Sequence, residues 1–261
     1  MKRYLIDSHT VEFPTIFHAL LNGAKIYDSS CSPNAKVYFI DKDTGYYLKT
    51  SSKGSLKKEA QLTQFFHSKK LGAQVLAYES STQDWLLTAR IPGEDCTYAA
   101  YLDDPKRLCD TTAHLLRWLH SSNPTGCPIP NRTEEYLATA QRNYHAGNFD
   151  LHLFSEQFHY TSPETAWQMV STHGRELQSN TLIHGDYCLP NIMLNDWKFS
   201  GFLDLDTGGV GDRHVDLFWG AWSLNFNLKT DRYRERFLDA YGRQDICPEL
   251  FQVIAAIEIF G

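Results

Sequence analysis

The residues best suited to chemistry lie in one segment of the chain, between Leu182 and Leu205. Asp186 and Asn191 occupy a polar loop between two apolar runs, and Asp204 follows the next apolar run. An acid at the end of a buried strand is costly unless a partner such as a divalent cation is bound to it. All three side chains offer the oxygen donors that magnesium prefers. Their spacing therefore predicts a magnesium site, with one acid left to orient an attacking hydroxyl.

Phosphoryl transfer is the chemistry that uses such a set of residues. A metal ion neutralises phosphate oxygens while an aspartate holds the nucleophile in line. The alternative is a turn in which Asp186 and Asn191 only cap backbone amides. An isolated Asp and Asn pair would favour that turn, but the ordered His-Gly-Asp, Pro-Asn and Asp204 favour phosphoryl transfer.

Two kinds of secondary structure are expected to position this segment. Short runs rich in Ile, Val, Tyr and Phe predict strands around one helix at Ser55–Lys69, and apolar residues at helical spacing predict helices from Pro105 onward. We therefore predict an α+β protein with a small sheet-rich lobe at residues 1–91 and a larger helical lobe at residues 92–261. The predicted strands are Ala24–Ser30, Lys36–Asp41, Gly45–Lys49, Ala73–Tyr78 and Asp84–Ala89, and the predicted helices are Pro105–His120, Glu134–Ala146, Pro163–Leu177, Asp216–Phe226, Arg232–Tyr241 and Pro248–Phe260.

The distribution of charge argues for a cationic ligand. The 261 residues carry a net charge of −6 and are 42% hydrophobic, which is enough for a substantial core. Residues 150–216 hold ten acidic residues and three basic ones. Such a region repels phosphate backbones, which argues against nucleic acid, and it suits divalent metal ions or a polycationic small molecule. A solvated acidic face is the alternative.

The sequence also indicates where the protein resides. No run approaches the roughly 18 apolar residues of a membrane span, and Asp7 interrupts the N-terminal segment before a secretion signal can form. Six cysteines are scattered without the spacing of metal ligands, so a reducing cytoplasm is the expected location. We expect no membrane, no nucleic acid and no obligate protein partner.

The motifs of the chain resemble those of a known enzyme family. The matching strings are His184-Gly185-Asp186-x-Cys188-Leu189-Pro190-Asn191, Gly201-Phe202-Leu203-Asp204 and Gly209-Val210-Gly211-Asp212-Arg213-x-x-Asp216. They are similar to those of the aminoglycoside phosphotransferases, most of all the aminoglycoside 3'-phosphotransferases or kanamycin kinases. The resemblance implies the bilobal fold of protein kinases, with an N-terminal nucleotide-binding lobe and a C-terminal lobe for catalysis and substrate. It also implies phosphorylation of an aminoglycoside hydroxyl by ATP, or alternatively GTP, with Mg²⁺, and hence antibiotic resistance.

The resemblance implies a role for each matching residue. Asp186 would orient the substrate hydroxyl and accept its proton, while Asn191 and Asp204 would hold magnesium. The nucleotide-binding residues that it implies are Lys49 with its ion-pair partner Glu59, Ser32 in the loop between the first two strands, and the backbones of Ala89 and Ile91. For Lys49 and Glu59 the alternative is ordinary surface charge.

Acidic residues are expected to bind the ammonium groups of the drug. The substrate-binding residues that the resemblance implies are Glu258, Phe260, Glu156 and Asp150. For the last two, a solvated surface is the alternative. The chain departs from the family pattern at Asp206 and Thr207, where family members have Gly and Arg, and this departure bears on the range of drugs.

Two other functions are compatible with the same catalytic residues. A kinase of this fold that acts on another small alcohol, such as an amino alcohol, a sugar or a nucleoside, would differ only in its pocket. A pseudokinase would bind nucleotide without transferring phosphate, but the full set of phosphoryl-transfer residues argues against it. A metal-dependent phosphoesterase is disfavoured because the chain lacks the later histidine motifs of that class.

Overall fold

The chain packs as two units. The computed structural model describes residues 3–7, 11–31, 35–153 and 158–261. Unit 1 comprises Met1–Gly93 and Ser200–Asp206, and unit 2 comprises Glu94–Phe199 and Thr207–Gly261. The predicted division at residues 91 and 92 into a nucleotide-binding and a catalytic lobe stays a prediction, because packing does not report what each part binds.

Unit 1 is built on an antiparallel sheet. Its strands in the described residues are β1 (Tyr4–Leu5), β2 (Lys25–Asp28), β3 (Lys36–Asp41), β4 (Tyr46–Ser52), β5 (Val75–Ser80) and β6 (Gln83–Ala89). They lie in the order β1-β2-β3-β4-β6-β5. The five predicted strands are all present, some with shifted ends, whereas the short edge strand β1 was not predicted.

The two faces of this sheet differ because successive strand residues point to opposite sides. Leu48 in β4 is fully buried in a hydrophobic core with Ile40, Trp85 and Phe17. Burial of each such side chain contributes about 1.5–3 kcal/mol relative to exposure. Lys49 is the next residue in β4, so its side chain lies on the face opposite this core.

Two helices of unit 1 are α1 (His18–Leu21) and α2 (Lys57–Ser68), and α2 covers the face of the sheet that carries Lys49. Ala60 of α2 is buried with Leu86 of β6, which lies directly opposite Lys49 in the strand register. Residues directly opposite each other share a face of the sheet. The buried Asp84 carboxylate accepts the backbone N–H of Leu56 at 2.9 Å and so fixes the chain where α2 begins.

Unit 2 is mainly helical. Its helices in the described residues are α3 (Ala99–Leu102), α4 (Pro105–His120), α5 (Arg132–Ala146), α6 (Pro163–His173), α7 (Arg213–Leu228), α8 (Arg234–Tyr241) and α9 (Leu250–Glu258). The remaining strands in the described part of the chain are β7 (Glu94–Asp95), β8 (Thr181–Ile183), β9 (Ile192–Asn195), β10 (Lys198–Phe202), whose last three residues belong to unit 1, and β11 (Gly209–Gly211). β8 pairs with β11 and β7 with β9, both antiparallel. None of the described helices has both the length and the apolar character that crossing a membrane requires.

Capping residues explain where the helices of unit 2 begin. Helix α4 has the predicted bounds because Asp104 accepts the N–H of Arg107 and a proline occupies the first helical position. Helix α5 begins two residues before the predicted start, since the Asn131 side chain accepts a backbone N–H of its first turn. Helix α7 begins at Arg213 for the same reason, with Asp212 as its cap.

Candidate active site

A tight loop between β8 and β9 holds Asp186. The chain turns at Gly185 with a φ of +86°. A Cβ atom at Gly185 would lie 2.1 Å from the backbone oxygen of Thr207, so only glycine fits there. Asn191 donates through Nδ2 to Asp186 Oδ2 at 2.8 Å and to the Asp186 backbone oxygen at 3.0 Å. The two loop residues singled out in the sequence are therefore in contact, and Asn191 fixes the Asp186 carboxylate.

A buried acid, Asp216, ties this loop to helix α7. Its Oδ2 accepts the backbone N–H of His184, and its Oδ1 accepts that of Gly185, both at 2.7 Å. His120 of α4 lies with Nε2 3.0 Å from Asp216 Oδ2 and with Nδ1 2.8 Å from the Tyr241 hydroxyl. Because a carboxylate only accepts, Nε2 carries the proton and Nδ1 accepts from Tyr241. Burial lowers the pKa of His120, which favours this neutral ring.

Sequence reasoning missed Asp216 and His120 as functional residues. Asp216 is the last residue of the third motif, and His120 is the last residue of a predicted helix. Neither position in the sequence indicates what the side chain contacts. The signal that could have identified Asp216 is its position among the apolar residues of a predicted helix. An acid that is 0% exposed there must find donors elsewhere in the fold.

Lys49 lies in unit 1 between two carboxylates. Its Nζ atom is 2.9 Å from Glu59 Oε2 and 2.7 Å from Asp204 Oδ1. Burial opposes the charge on Lys49, yet the two acids raise its pKa above the usual value. Burial raises the pKa of Glu59 to about 7, against the effect of Lys49. Lys49 and Glu59 thus form an ion pair, and their role in nucleotide binding stays a prediction.

Ala89 and Ile91 are the predicted backbone contacts for adenine. Ala89 ends β6, and its N–H donates to the backbone oxygen of Gln74 at 2.9 Å. Ile91 is 6% exposed and packs so closely on Gly201 that a Cβ there would lie 2.6 Å from Ile91 Cδ1. Among the described residues, none accepts a hydrogen bond from the N–H of Ile91. That N–H is therefore a donor available to a base.

Oxygen donors suited to magnesium are present at the two predicted positions. Asn191 uses its amide nitrogen on Asp186, and no described residue donates to its Oδ1 atom. Asp204 contacts Lys49 through Oδ1, and its side chain is 57% exposed. The described residues contain no cluster of three or more His, Cys, Asp or Glu side chains arranged for a metal ion. The oxygen atoms of Asn191 and Asp204 are of the kind that magnesium takes as ligands together with substrate phosphates.

A cavity of about 320 Å³ lies beside Asp186 in unit 2, and Tyr136, Trp219 and Glu258 also line it. Glu258 accepts through Oε1 from the Tyr136 hydroxyl at 2.5 Å and from Trp219 Nε1 at 2.9 Å. Burial raises the pKa of Glu258 to about 7, although both hydrogen bonds favour the ionised form. The structure thus brings Asp186 and Glu258, predicted for catalysis and for drug binding, to the same cavity.

Phe260, a predicted drug-binding residue, does not line this cavity. Its side chain is 1% exposed and packs edge-on against Tyr144 and Trp167. Its backbone oxygen accepts from Asn143 Nδ2 at 2.6 Å. The next residue, Gly261, does line the cavity. Any contribution of Phe260 to drug binding is therefore through the position of the backbone rather than through its ring.

The remaining predicted site residues lie away from this cavity or outside the described part of the chain. Asp150 is exposed, and its Oδ1 accepts the backbone N–H of His152 at 2.8 Å. It is not among the residues that line the cavity. Ser32 and Glu156 lie outside the described residues, so their predicted roles stay predictions.

A comparison with protein families identifies the chain. A family model described as "Phosphotransferase enzyme family" matches residues 31–253. The chain belongs to this family. The resemblance drawn from the motifs around Asp186, Asp204 and Asp216 is thereby confirmed.

Related members of the family share most of their length with this chain. It is 49% identical to a Lactococcus lactis protein named as a probable aminoglycoside 3'-phosphotransferase, over 96% of this chain and 95% of that protein. It is 25% identical to an aminoglycoside 3'-phosphotransferase of Enterococcus faecalis, over 90% of this chain and 93% of that protein. Family membership therefore rests on nearly the whole chain rather than on one motif.

Solved structures of the family share the fold. A type VIII aminoglycoside-3'-phosphotransferase has a TM-score of 0.74 at 20% identity and covers 94% of this chain and 97% of its own. An aminoglycoside phosphotransferase of Streptomyces rimosus in complex with ADP and streptomycin has a TM-score of 0.69 at 21% identity, over 87% of this chain and 91% of its own. The predicted α+β fold of the protein-kinase type is confirmed.

Proposed function

We propose that this protein transfers the γ-phosphoryl group of ATP to a hydroxyl of an aminoglycoside antibiotic and thereby confers resistance. The observation that carries the proposal is the fixed Asp186 carboxylate at a cavity that also presents Glu258. Two acids at one cavity suit a cationic sugar whose hydroxyl is the nucleophile. The motifs favour the kanamycin and neomycin class of substrate. The 49% identity to the Lactococcus lactis relative, which is named as a probable aminoglycoside 3'-phosphotransferase, supports the 3'-hydroxyl as the acceptor.

Asp186 acts on the acceptor hydroxyl. Its carboxylate accepts a hydrogen bond from the hydroxyl, aligns the oxygen with the γ-phosphorus, and takes the proton as the new O–P bond forms. The bond between the γ-phosphorus and its bridging oxygen breaks, and ADP leaves with that oxygen and the electron pair. Asn191 holds Asp186 in place throughout, because its amide contacts both the side chain and the backbone of Asp186.

Residues of unit 1 bind the nucleotide in this proposal. Lys49 donates to the α- and β-phosphates, and Glu59 holds the Lys49 ammonium group in position. The N–H of Ile91 donates to the adenine ring, and the backbone of Ala89 contacts it as well. The Ser32 hydroxyl donates a hydrogen bond to the phosphates. GTP is the alternative to ATP as the source of the phosphoryl group.

Asn191 and Asp204 are proposed as the ligands of Mg²⁺. Each has an oxygen atom without a donor among the described residues, which is the kind of ligand that a hard cation takes. Magnesium held by these side chains would neutralise the phosphate oxygens on which negative charge develops. Each of the two side chains would supply an oxygen ligand, whereas Asp186 is reserved for the hydroxyl.

Glu258 is proposed to bind an ammonium group of the drug. Tyr136 and Trp219 fix its carboxylate at the cavity, so its charge is in a defined place. An ammonium group beside this carboxylate favours its ionised form. Asp150 and Glu156 are proposed as further acids that attract the drug, and Phe260 as a residue that positions the backbone of the cavity wall.

The test is formation of ADP and of a phosphorylated drug from ATP, kanamycin A and Mg²⁺. We expect wild-type turnover, and loss of about 10²–10⁴ in kcat for Asp186→Asn with nucleotide affinity retained. The variant Asp103→Asn is a control, since this exposed acid does not line the cavity and has no role in the proposal. If a panel of aminoglycosides is inert while another alcohol is phosphorylated, the substrate class is wrong. Tight ATP binding without any product would instead indicate a pseudokinase.

A further inference from the structure

The cavity beside Asp186 contains a positive charge. Of the described residues that line it, Arg132 is the only basic one. A cavity that binds a polycation gains nothing in affinity from a guanidinium group in its wall, because like charges repel. The presence of Arg132 there therefore calls for a role other than attraction of the drug.

Arg132 is held in a fixed position. Its Nε atom donates to the backbone oxygen of Thr207 at 2.8 Å, and its Nη1 atom is 3.4 Å from Glu135 Oε2. The guanidinium carbon lies 5.9 Å from the centre of the Tyr136 ring. The side chain is only 15% exposed, and Arg132 Cβ would lie 2.9 Å from a Cβ placed on Gly209. Contacts on several sides leave the guanidinium little freedom to move away from a substrate.

The contacts of Arg132 connect it to the catalytic loop. The Thr207 oxygen that accepts from Arg132 is the same atom that excludes a Cβ at Gly185, the residue before Asp186. Arg132 therefore contacts Thr207, and Thr207 in turn packs against the loop that carries Asp186. Among the described residues, none accepts a hydrogen bond from its Nη2 atom. That N–H group is free to meet a substituent of a sugar whose hydroxyl engages Asp186.

The positive charge is also felt at the acids of the cavity. Arg132 acts to lower the pKa of Glu258, although burial raises it overall. It acts in the same direction on the Tyr136 hydroxyl, whose pKa burial raises. The same positive charge that stabilises a carboxylate would repel an ammonium group of the drug in this cavity.

We infer that Arg132 is a specificity-determining residue that rejects an ammonium group, and accepts a hydroxyl, on the ring carbon next to the one that is phosphorylated. A hydroxyl there can accept a hydrogen bond from the guanidinium, whereas an ammonium group cannot accept and is repelled. The inference rests on the proposed function and specifies which aminoglycosides the protein prefers as substrates. It also gives a reason why this chain has Thr207 where family members have arginine. Arg132 contacts Thr207, so a guanidinium group is present beside this position without an arginine at residue 207.

Kanamycins A, B and C provide the matched substrates for a test. Kanamycin A has a hydroxyl at C2', next to the 3'-hydroxyl, where kanamycin B has an ammonium group. Kanamycin C differs from B only at the more distant C6', where it has a hydroxyl. The ratio of kcat/KM for kanamycin A to that for kanamycin B therefore measures the effect of the substituent next to the acceptor hydroxyl. The ratio for kanamycin C to kanamycin B measures the effect of a more distant substituent.

We expect Arg132→Gln to lower the A to B ratio by about tenfold, mainly through a lower KM for B. Glutamine keeps a donor for the Thr207 oxygen but removes the charge. Arg132→Lys keeps the charge and should retain the ratio. The exposed Arg175, which does not line the cavity, provides the control, and Arg175→Gln should change neither ratio. The C to B ratio should stay within about twofold in every variant.

An A to B ratio that Arg132→Gln leaves unchanged would overturn the inference. An equal loss of kcat/KM for all three drugs would be one such case, and it would mean that Arg132 only supports Thr207. A change confined to the C to B ratio would be another. If Arg132→Gln does not fold, as judged by its Tm, Arg132→Met provides a second variant without the charge. If the wild type phosphorylates none of the three, the proposed function itself fails, which is a distinct result.

Discussion

Asp216 accepts the backbone N–H of His184 at 2.7 Å, and through this bond a buried side chain of helix α7 holds the loop that carries the proposed catalytic aspartate. The same carboxylate accepts the N–H of Gly185 and is contacted by His120. A buried carboxylate with three donors is stable only while all of them are in place. The geometry of the loop and the stability of unit 2 are therefore linked.

We expect Asp216→Ala to lower the free energy of unfolding by about 3–5 kcal/mol, since it removes a buried acceptor and leaves its donors unpaired. Urea denaturation followed by circular dichroism measures the change. Asp150→Ala removes an exposed acid of the same unit and should alter stability by less than about 0.5 kcal/mol. Equal stability of the two variants would show that the network around Asp216 is not structural.

We expect Gly185→Ala to abolish phosphorylation, because the new methyl group would meet the Thr207 backbone oxygen at 2.1 Å and displace the loop. The matched control is Gly126→Ala. Gly126 has a φ of +83°, close to the +86° of Gly185, but a Cβ there meets nothing within 4 Å. The control should lose about 1–2 kcal/mol of stability from backbone strain alone and retain activity. Similar kcat values for the two variants would contradict the proposed role of this close contact.

The raised pKa of Glu59, about 7, predicts a pH-dependent stability. The folded protein binds a proton at Glu59 more readily than the unfolded chain does, so this group makes stability fall as pH rises from about 4.5 to about 7. Lys49 is protonated in both states across that range, so its raised pKa adds no slope there. We expect the stability of Glu59→Gln, measured by denaturation, to fall less steeply with pH. The exposed Glu12 provides the control, and Glu12→Gln should keep the wild-type slope.

The raised pKa of Glu258 predicts how drug binding depends on pH. Below about pH 7 the free carboxyl becomes protonated and loses the charge that attracts an ammonium group. We therefore expect the KM for kanamycin A to rise as pH falls from about 8 to about 6. Glu258→Gln should have a higher KM and a weaker dependence on pH over this range. A wild-type KM that is flat with pH, or a variant with the same slope, would remove Glu258 from the binding site.

Several features could be predicted because they depend on residues close together in the sequence. Helix α4 has its predicted bounds since a cap at Asp104 and a proline at its first position lie beside an apolar repeat. Asp186 and Asn191 are five residues apart, so one turn of the chain suffices to bring them into contact. Lys49 and Glu59 are ten residues apart, and they lie in strand β4 and helix α2, which follow each other in the chain.

Other features could not be predicted because their residues are far apart in the chain. The contact of Lys49 with Asp204 joins residues 155 apart, and that of Tyr136 with Glu258 joins residues 122 apart. Arg132 was not singled out at all, because an arginine at the beginning of a helix carries no signal until its neighbour Thr207 is known. Such contacts depend on how whole elements pack rather than on local spacing.

The order and types of residues in the motifs by themselves predicted the family and its phosphoryl-transfer chemistry and singled out Asp186 as the proposed catalytic residue, because the loop that holds Asp186 is a local structure with a local signature. Only the tertiary structure decided what surrounds that loop: Asp216 beneath it and Glu258 and Arg132 at the adjoining cavity. The physical reason is that charges and hydrogen bonds act over a few ångströms of space, whatever the separation along the chain.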